Sequence, residues 1–176
     1  VFSTDVPSLL VDPGFDSSVD SEDLRGTQDW YESRNDVPDL LTLDENDVGG
    51  NAGKKAALIN YGIAENAYLT QEFSSAQTST FSVNFDIYVD RIEDVGTYDR
   101  TGNIYIGDDR IGTNAPTGTS NERFVCLGFY DSTPETDGDV QLVARTSSSQ
   151  GFDTTSAWDL IASGLSYDTW ITIKIE

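Results

Sequence analysis

Histidine is absent from this chain of 176 residues. A protein without histidine cannot use a Ser-His or Cys-His catalytic pair, a histidine general base or a histidine ligand to zinc. Any enzymatic activity would have to depend on carboxylates, tyrosine, lysine or arginine. The missing histidines therefore favour a binding protein over an enzyme.

Cysteine occurs once, at Cys126, so no intrachain disulfide can form. Cys126 lies in an apolar run at residues 124–127, which predicts a buried and unreactive thiol. The sequence also lacks an apolar run of the roughly 18 residues that a membrane helix needs. We therefore expect no membrane insertion and a domain that depends on its hydrophobic core.

Positive charge is scarce, with 10 Lys and Arg against 31 Asp and Glu and a formal net charge of -21. Nucleic acids and anionic membranes require a basic surface, so neither is an expected partner. The acidic excess suits solubility in salty water, because salt screens the repulsion between like charges. It also suits binding of hard divalent cations, which take several oxygen ligands.

Strand patterns dominate what the sequence does contain. Residues 81–90 alternate strictly between apolar and polar side chains, which indicates a strand with one face on a core and one in water. Further strands are predicted at residues 55–61, 67–73, 103–107, 123–130, 140–145 and 170–175. The run at 123–130 is almost wholly apolar, as in a central strand.

Many short strands separated by turn residues predict an all-β fold, an antiparallel two-sheet β-sandwich with little or no helix. Residues 1–12 are expected to form an N-terminal arm or edge strand, and residues 13–176 the sandwich domain. Trp170 is expected to pack in the core.

Five segments appear in a familiar order: VDPGFDSSVDSEDLRGTQDW (11–30), GNAGKKAALINYG (50–62), AYLTQEF (67–73), TSTFSVNFDIYVD (78–90) and GLSYDTWITIKIE (164–176). Their order resembles the concanavalin-A-like lectin and glucanase jelly roll in its laminin-G-like form, over about residues 9–176. Domains of that family usually continue with at least one more hairpin after the last of these strands. Either a further C-terminal part supplies that hairpin, or another copy of the chain covers the open sheet edge by strand exchange.

The polar side of the 81–90 strand supplies candidate ligand-binding residues. Asn84, Asp86, Tyr88 and Asp90 alternate along one strand face, and Tyr105 is a further candidate for stacking against a sugar ring. Glucanases of the resembled family carry Glu-x-Asp-x-Glu on one strand. The matching register here places Asp86 and Asp90 about 13 Å apart, too far for a glycosidase acid/base pair. A glycan-binding face and a solvated strand face remain the alternatives.

The resemblance also implies a structural calcium ion near the first strand. By that analogy Asp16, Asp47 and Asn51 are candidate ligands for Ca²⁺. Asp16 follows Pro13-Gly14, and Asp47 and Asn51 flank the Gly49-Gly50 pair.

These features together predict a non-catalytic, secreted or cell-surface module that binds carbohydrate or mediates adhesion, with calcium as a candidate cofactor. The alternative is a structural subunit of an extracellular filament, tube or surface layer, joined to other copies of itself by strand exchange or interfacial calcium. A polysaccharide-degrading enzyme is the weakest of the three hypotheses.

Overall fold

A computed structural model describes residues 13–15, 31–32, 41–58, 69–71, 77, 79–94, 99–100, 103–108, 123–131, 139–147 and 158–176. These residues form strands and turns without a helix, and every strand pairing among them is antiparallel. The predicted all-β class is thereby confirmed. The described part of the chain offers no helix long and apolar enough to cross a membrane.

The chain divides into two compact units, Val1–Phe81 together with Glu176, and Ser82–Ile175. The predicted arm at residues 1–12 lies outside the described residues, so that arm and the 13–176 domain boundary stay predictions.

The first unit contains two short strand pairs. β1 (Tyr31–Glu32) pairs with β4 (Leu69–Thr70), and β2 (Leu41–Asp44) pairs with β3 (Lys55–Leu58). The predicted strands at 55–61 and 67–73 are thus represented by β3 and β4, and β2 is a strand that the sequence reading missed.

A tight turn lies within the segment that joins β2 to β3. Val48 and Asn51 exchange two backbone hydrogen bonds of 3.1 and 3.0 Å. The two residues between them, Gly49 and Gly50, have φ values of 57° and 85°. Two positive φ angles in a two-residue loop are the pattern of a type I′ turn, which glycine adopts without a steric cost.

The second unit holds the longer strands: β5 (Val83–Tyr88), β6 (Glu93–Asp94), β7 (Asp99–Arg100), β8 (Asn103–Asp108), β9 (Arg123–Tyr130), β10 (Val140–Ser147), β11 (Asp159–Leu165) and β12 (Trp170–Ile175). Four of them form a sheet in the order β11-β10-β9-β8, while β12 pairs with β5 and β6 pairs with β7. β9 has a partner on each side, as the prediction of a central strand required.

A cluster of buried apolar side chains receives residues from both the four-stranded sheet and the β5–β12 pair. We call it the core cluster; its members are Val89, Ile92, Leu127, Phe129, Val140, Leu142 and Ile173. Phe85 and Ile87 of β5 and Ile171 and Ile175 of β12 pack against it. These are alternate positions, so the residues between them lie on the opposite side of β5 and β12.

β11 is a strand that the sequence pattern did not reveal. Its pairing with β10 shifts register twice, and such bulges break the alternation of side chains. Gly164 has a φ of 72° and donates its N–H to Oδ1 of Asp139 at 2.7 Å. Leu160 and Ile161 are adjacent and both exposed, so the apolar positions of β11 do not follow the period of two.

Candidate functional site

Three cross-strand pairs form the side of β5 and β12 that faces away from the core cluster. They are Tyr88 with Trp170, Asp86 with Thr172, and Asn84 with Lys174. We call this surface the β5–β12 face. Its two aromatic side chains are half-buried and its four polar side chains are exposed. The strands therefore present an aromatic pair at one end and polar pairs beyond it.

Two side-chain hydrogen bonds order this face. The hydroxyl of Thr172 donates to Oδ1 of Asp86 at 2.6 Å. The hydroxyl of Tyr88 donates to Oδ1 of Asp168 at 3.2 Å. The rings of Tyr88 and Trp170 have centroids 5.4 Å apart and planes inclined at 52°, which is a favourable distance for a tilted aromatic pair.

The pKa of Tyr88 lies above its ordinary value. Partial desolvation is the largest cause, followed by the hydrogen bond to Asp168 and the negative charges of Asp168 and Asp90. The Tyr88 hydroxyl thus remains a proton donor throughout the neutral range. The same effects show that two carboxylates act on this end of the face.

Trp170 corrects one expectation from the sequence. It was predicted to pack in the core, but the core-facing residues of β12 are Ile171, Ile173 and Ile175. Trp170 instead pairs with Tyr88 on the other side of the strand. The alternation of residues 170–175 carried this signal, because Trp170, Thr172 and Lys174 share one parity. These three residues were not predicted as members of the face.

The predicted ligand-binding residues are only partly brought together. Asn84, Asp86 and Tyr88 share the β5–β12 face, and the exposed Asp90 follows the end of β5. Tyr105 lies on β8, in the four-stranded sheet, and is therefore not on that face. Strand periodicity assigns a residue to one side of its strand, but it does not tell which strands are neighbours.

Tyr105 instead belongs to a cross-strand row. Its register partner on β9 is Cys126, and the partner of Cys126 on β10 is Arg145. Cys126 is fully buried and Arg145 is 7% exposed. The guanidinium of Arg145 lies 5.2 Å from the ring centroid of Trp158, a cation–π contact.

Tyr105, Cys126 and Arg145 form a row of packed side chains, and burial dominates their chemistry. Burial raises the pKa of Tyr105, and its hydrogen bond to Cys126 raises it further. Burial also raises the pKa of the Cys126 thiol, against the opposing effects of the Tyr105 hydrogen bond and the Arg145 charge. A thiol that is buried and protonated is a poor nucleophile, as the sequence predicted for Cys126.

Gly128 provides space beside this row. A β-carbon built at Gly128 would lie 2.9 Å from Oδ1 of Asn103 and 3.5 Å from the indole of Trp158. The absence of a side chain therefore leaves room for the Asn103 side chain, whereas a β-carbon would meet the Trp158 indole only at an ordinary contact distance. A substitution here would force the Asn103 side chain to shift.

The loop between β2 and β3, residues 45–54, encloses a positive charge from its own chain. The ammonium of Lys55 donates hydrogen bonds to three backbone carbonyl oxygens, those of Asn46 at 2.6 Å, Gly53 at 2.8 Å and Asp44 at 3.2 Å. An ammonium group carries three N–H donors, so this arrangement matches its bonding capacity.

The carboxylate of Asp44 further ties the loop together. Its Oδ1 accepts hydrogen bonds from the backbone and side-chain amides of Asn46, at 2.8 and 2.7 Å. These bonds, with the charge of Lys55, hold the pKa of Asp44 below its ordinary value despite an opposing effect of desolvation. Next to it, Lys54 and Glu45 form an ion pair of 3.3 Å.

Two of the three predicted calcium ligands, Asp47 and Asn51, lie in this loop. Asp47 is exposed, and Oδ1 of Asn51 accepts the Gly53 N–H at 2.8 Å. Asp16 lies outside the described residues. Within the described ranges no group of three or more Cys, Asp or Glu side chains is placed to hold a metal ion.

Comparisons of the chain with protein-family models, with curated proteins and with solved structures found no match.

Proposed function

We propose that the Ser82–Ile175 unit is a non-catalytic binding module, a jelly-roll β-sandwich that recognises glycans through the β5–β12 face. The sandwich is supported by the core cluster, which takes side chains from the four-stranded sheet and from the β5–β12 pair. What supports the binding role is the opposite side of β5 and β12, where polar and aromatic groups are accessible to a ligand.

The aromatic pair beside polar pairs is the observation that carries the proposal. An aromatic ring suits the apolar face of a pyranose, and neighbouring carboxylate, amide and hydroxyl groups suit its hydroxyls. Successive pairs on the face are separated by about 7 Å along the strands. The three pairs therefore span about 13 Å, enough for a short stretch of a polysaccharide.

A glycosidase is less well supported at this face. Its acid and base, or acid and nucleophile, must lie roughly 5–9.5 Å apart. Asp86 and Asp90 are separated by four positions, about 13 Å along an extended strand. Asp86 is also hydrogen-bonded to Thr172, a group that performs no proton transfer at neutral pH. Recognition without turnover fits these groups better.

Glycan-array binding followed by calorimetry on the hits tests the proposal, with calcium and with a chelator in parallel. Changing Trp170 to alanine removes the stacking surface, and changing Asn84 to alanine removes an exposed hydrogen-bonding group; each is expected to lower affinity about tenfold or more. Asp159→Ala, an exposed change on β11, is the control and should bind normally. An array without hits in both conditions would refute the proposal.

The proposed function implies a location for the protein and a candidate cofactor. Polysaccharides of cell walls and matrices lie outside the cytoplasm, so a secreted or cell-surface protein is proposed. Calcium remains a proposed cofactor, and the chelator arm of the binding experiment tests it.

Leu160 and Ile161 favour a second candidate, a structural subunit that associates with its own copies. Their exposed fractions are 58% and 57%, and they are adjacent on the strand that ends the four-strand order. Such apolar pairs on a strand promote association. Light scattering should then show oligomers in high salt that Leu160→Lys abolishes. A monomer at every salt concentration would eliminate this candidate.

A further inference from the structure

One end of the β5–β12 face combines aromatic rings with carboxylates. We call it the acidic aromatic corner; it comprises Tyr88, Trp170, Asp90 and Asp168. The two rings are half-buried, and the two carboxylates are exposed. The hydroxyl of Tyr88 lies 3.2 Å from Oδ1 of Asp168. A ligand that contacts the rings would therefore meet negative charge at the same place.

Asp168 is held in a defined position. It lies in the turn between β11 and β12 with a φ of 56°, in the left-handed region that aspartate tolerates better than most residues. Its backbone N–H donates to the carbonyl oxygen of Val89 at 3.0 Å, which ties this turn to the segment after β5. The carboxylate is thus placed beside Tyr88 by backbone as well as side-chain contacts.

Asp90 adds a second negative charge near Tyr88. Its charge and that of Asp168 both act on the Tyr88 hydroxyl. Aromatic faces attract cations, and a carboxylate nearby strengthens the attraction. The net charge of -21 also draws cations to the molecule and repels anionic sugars.

We propose that the acidic aromatic corner binds a protonated primary amine, so that the module selects glycans containing free amino sugars over N-acetylated or acidic ones. This inference rests on the proposed glycan-binding function. The ammonium would contact the rings and donate hydrogen bonds to Asp90 and Asp168. The uncharged rest of the oligosaccharide would extend along the strands towards Asp86 and Thr172.

An amino sugar fits this surface better than a lysine side chain of another protein. A lysine would occupy the corner alone, whereas an oligosaccharide also meets the polar pairs beyond it. Lys174 stands in the last pair, about 13 Å from the corner by strand spacing. Its positive charge disfavours a second amine there and so orients the ligand.

Calorimetry with three oligosaccharides of equal length tests the inference: glucose oligomers that end in a single glucosamine (the glucosamine oligomers), in a single N-acetylglucosamine (the N-acetylated oligomers) or in a single uronic acid (the uronic acid oligomers). The pH is kept low enough to protonate the sugar amine. The glucosamine oligomers should bind at least tenfold more tightly than either of the others. Asp90→Asn and Asp168→Asn keep the size of each side chain and should each reduce that preference severalfold.

Asp159→Asn is the matched control, because it removes one exposed carboxylate from β11 and leaves the corner intact. It should keep the preference, which separates the corner from the net charge. Equal or tighter binding of the N-acetylated oligomers would overturn this inference and leave glycan binding standing. Binding of none of the three, with none on the array, would refute both proposals. A lysine-rich peptide that binds as tightly as the glucosamine oligomers would overturn the sugar assignment.

Discussion

Cys126 has no exposed surface, and its neighbours across the sheet are a tyrosine and an arginine. Tyr105 hydrogen-bonds the thiol, and Arg145 places its charge nearby while it stacks over Trp158. Burial nevertheless dominates, so both the thiol and the phenol hold their protons more tightly than they do in water. The layer of the four-stranded sheet that contains Cys126 and Tyr105 therefore favours the protonated forms of both groups.

Alkaline pH is therefore expected to destabilise the protein. The ordinary pKa values are 9.0 for the thiol and 10.0 for the phenol, and folding raises both. As pH rises past these values the unfolded chain loses protons first, so unfolding becomes more favourable. Below them the stabilising contribution is fully present. Urea titrations across this range should show the free energy of unfolding falling.

Tyr105→Phe should make that fall smaller, because one of the two groups no longer titrates. If Tyr105→Phe and the unmodified protein showed the same pH dependence, the effect could not be assigned to the row of Tyr105, Cys126 and Arg145.

At the scale of elements, alternation in the sequence located most of the longer strands. β5, β8, β9, β10 and β12 all lie where apolar residues recur at every second position or run continuously. β11 was not predicted, because two register shifts and Gly164 interrupt the alternation of its side chains. Periodicity is a local property, and a bulge removes it without removing the strand.

The candidate sites show the same limit. Asn84, Asp86 and Tyr88 could be grouped because they belong to one strand. Their partners on β12 follow only from the pairing register, which residues some 80 positions apart in sequence establish. In the loop between β2 and β3 the carbonyl oxygens around Lys55 carry no side-chain signature, so their arrangement could not be predicted from residue types.

Lys55→Met is expected to destabilise the β2–β3 loop. Methionine keeps most of the side-chain length but removes the ammonium, leaving three carbonyl groups without their donor. A loss of about 1–3 kcal/mol in the free energy of unfolding is expected. Lys54→Met is the matched control: its ion pair with Glu45 is partly exposed, and the loss should stay below about 1 kcal/mol. Equal losses, measured by urea titration, would contradict the role assigned to Lys55.

For the whole molecule, net charge is the dominant property. Among the described residues one cation, Arg145, and one carboxylate, Asp131, are buried, so burial does not change the acidic balance that the sequence shows. Repulsion among 31 acidic side chains opposes the compact state.

Salt should therefore stabilise the protein. The distance over which charges interact falls from about 30 Å at 0.01 M to about 3 Å at 1 M ionic strength. Thermal unfolding in sodium chloride is expected to show Tm rising by several degrees across this range. Calcium chloride at equal ionic strength is the comparison: a much larger rise would reveal a specific calcium site. A Tm that falls or stays level in sodium chloride would refute the repulsion argument.

The enclosed ammonium of Lys55 has a further consequence. Because the Lys55 charge belongs to the polypeptide, it cannot be diluted, chelated or exchanged as a free ion can. The hairpin that surrounds it should thus keep its shape in brackish, marine or mineral-poor surroundings alike. Covalent chemistry at the amine, such as acylation, would withdraw that charge while the chain remains intact.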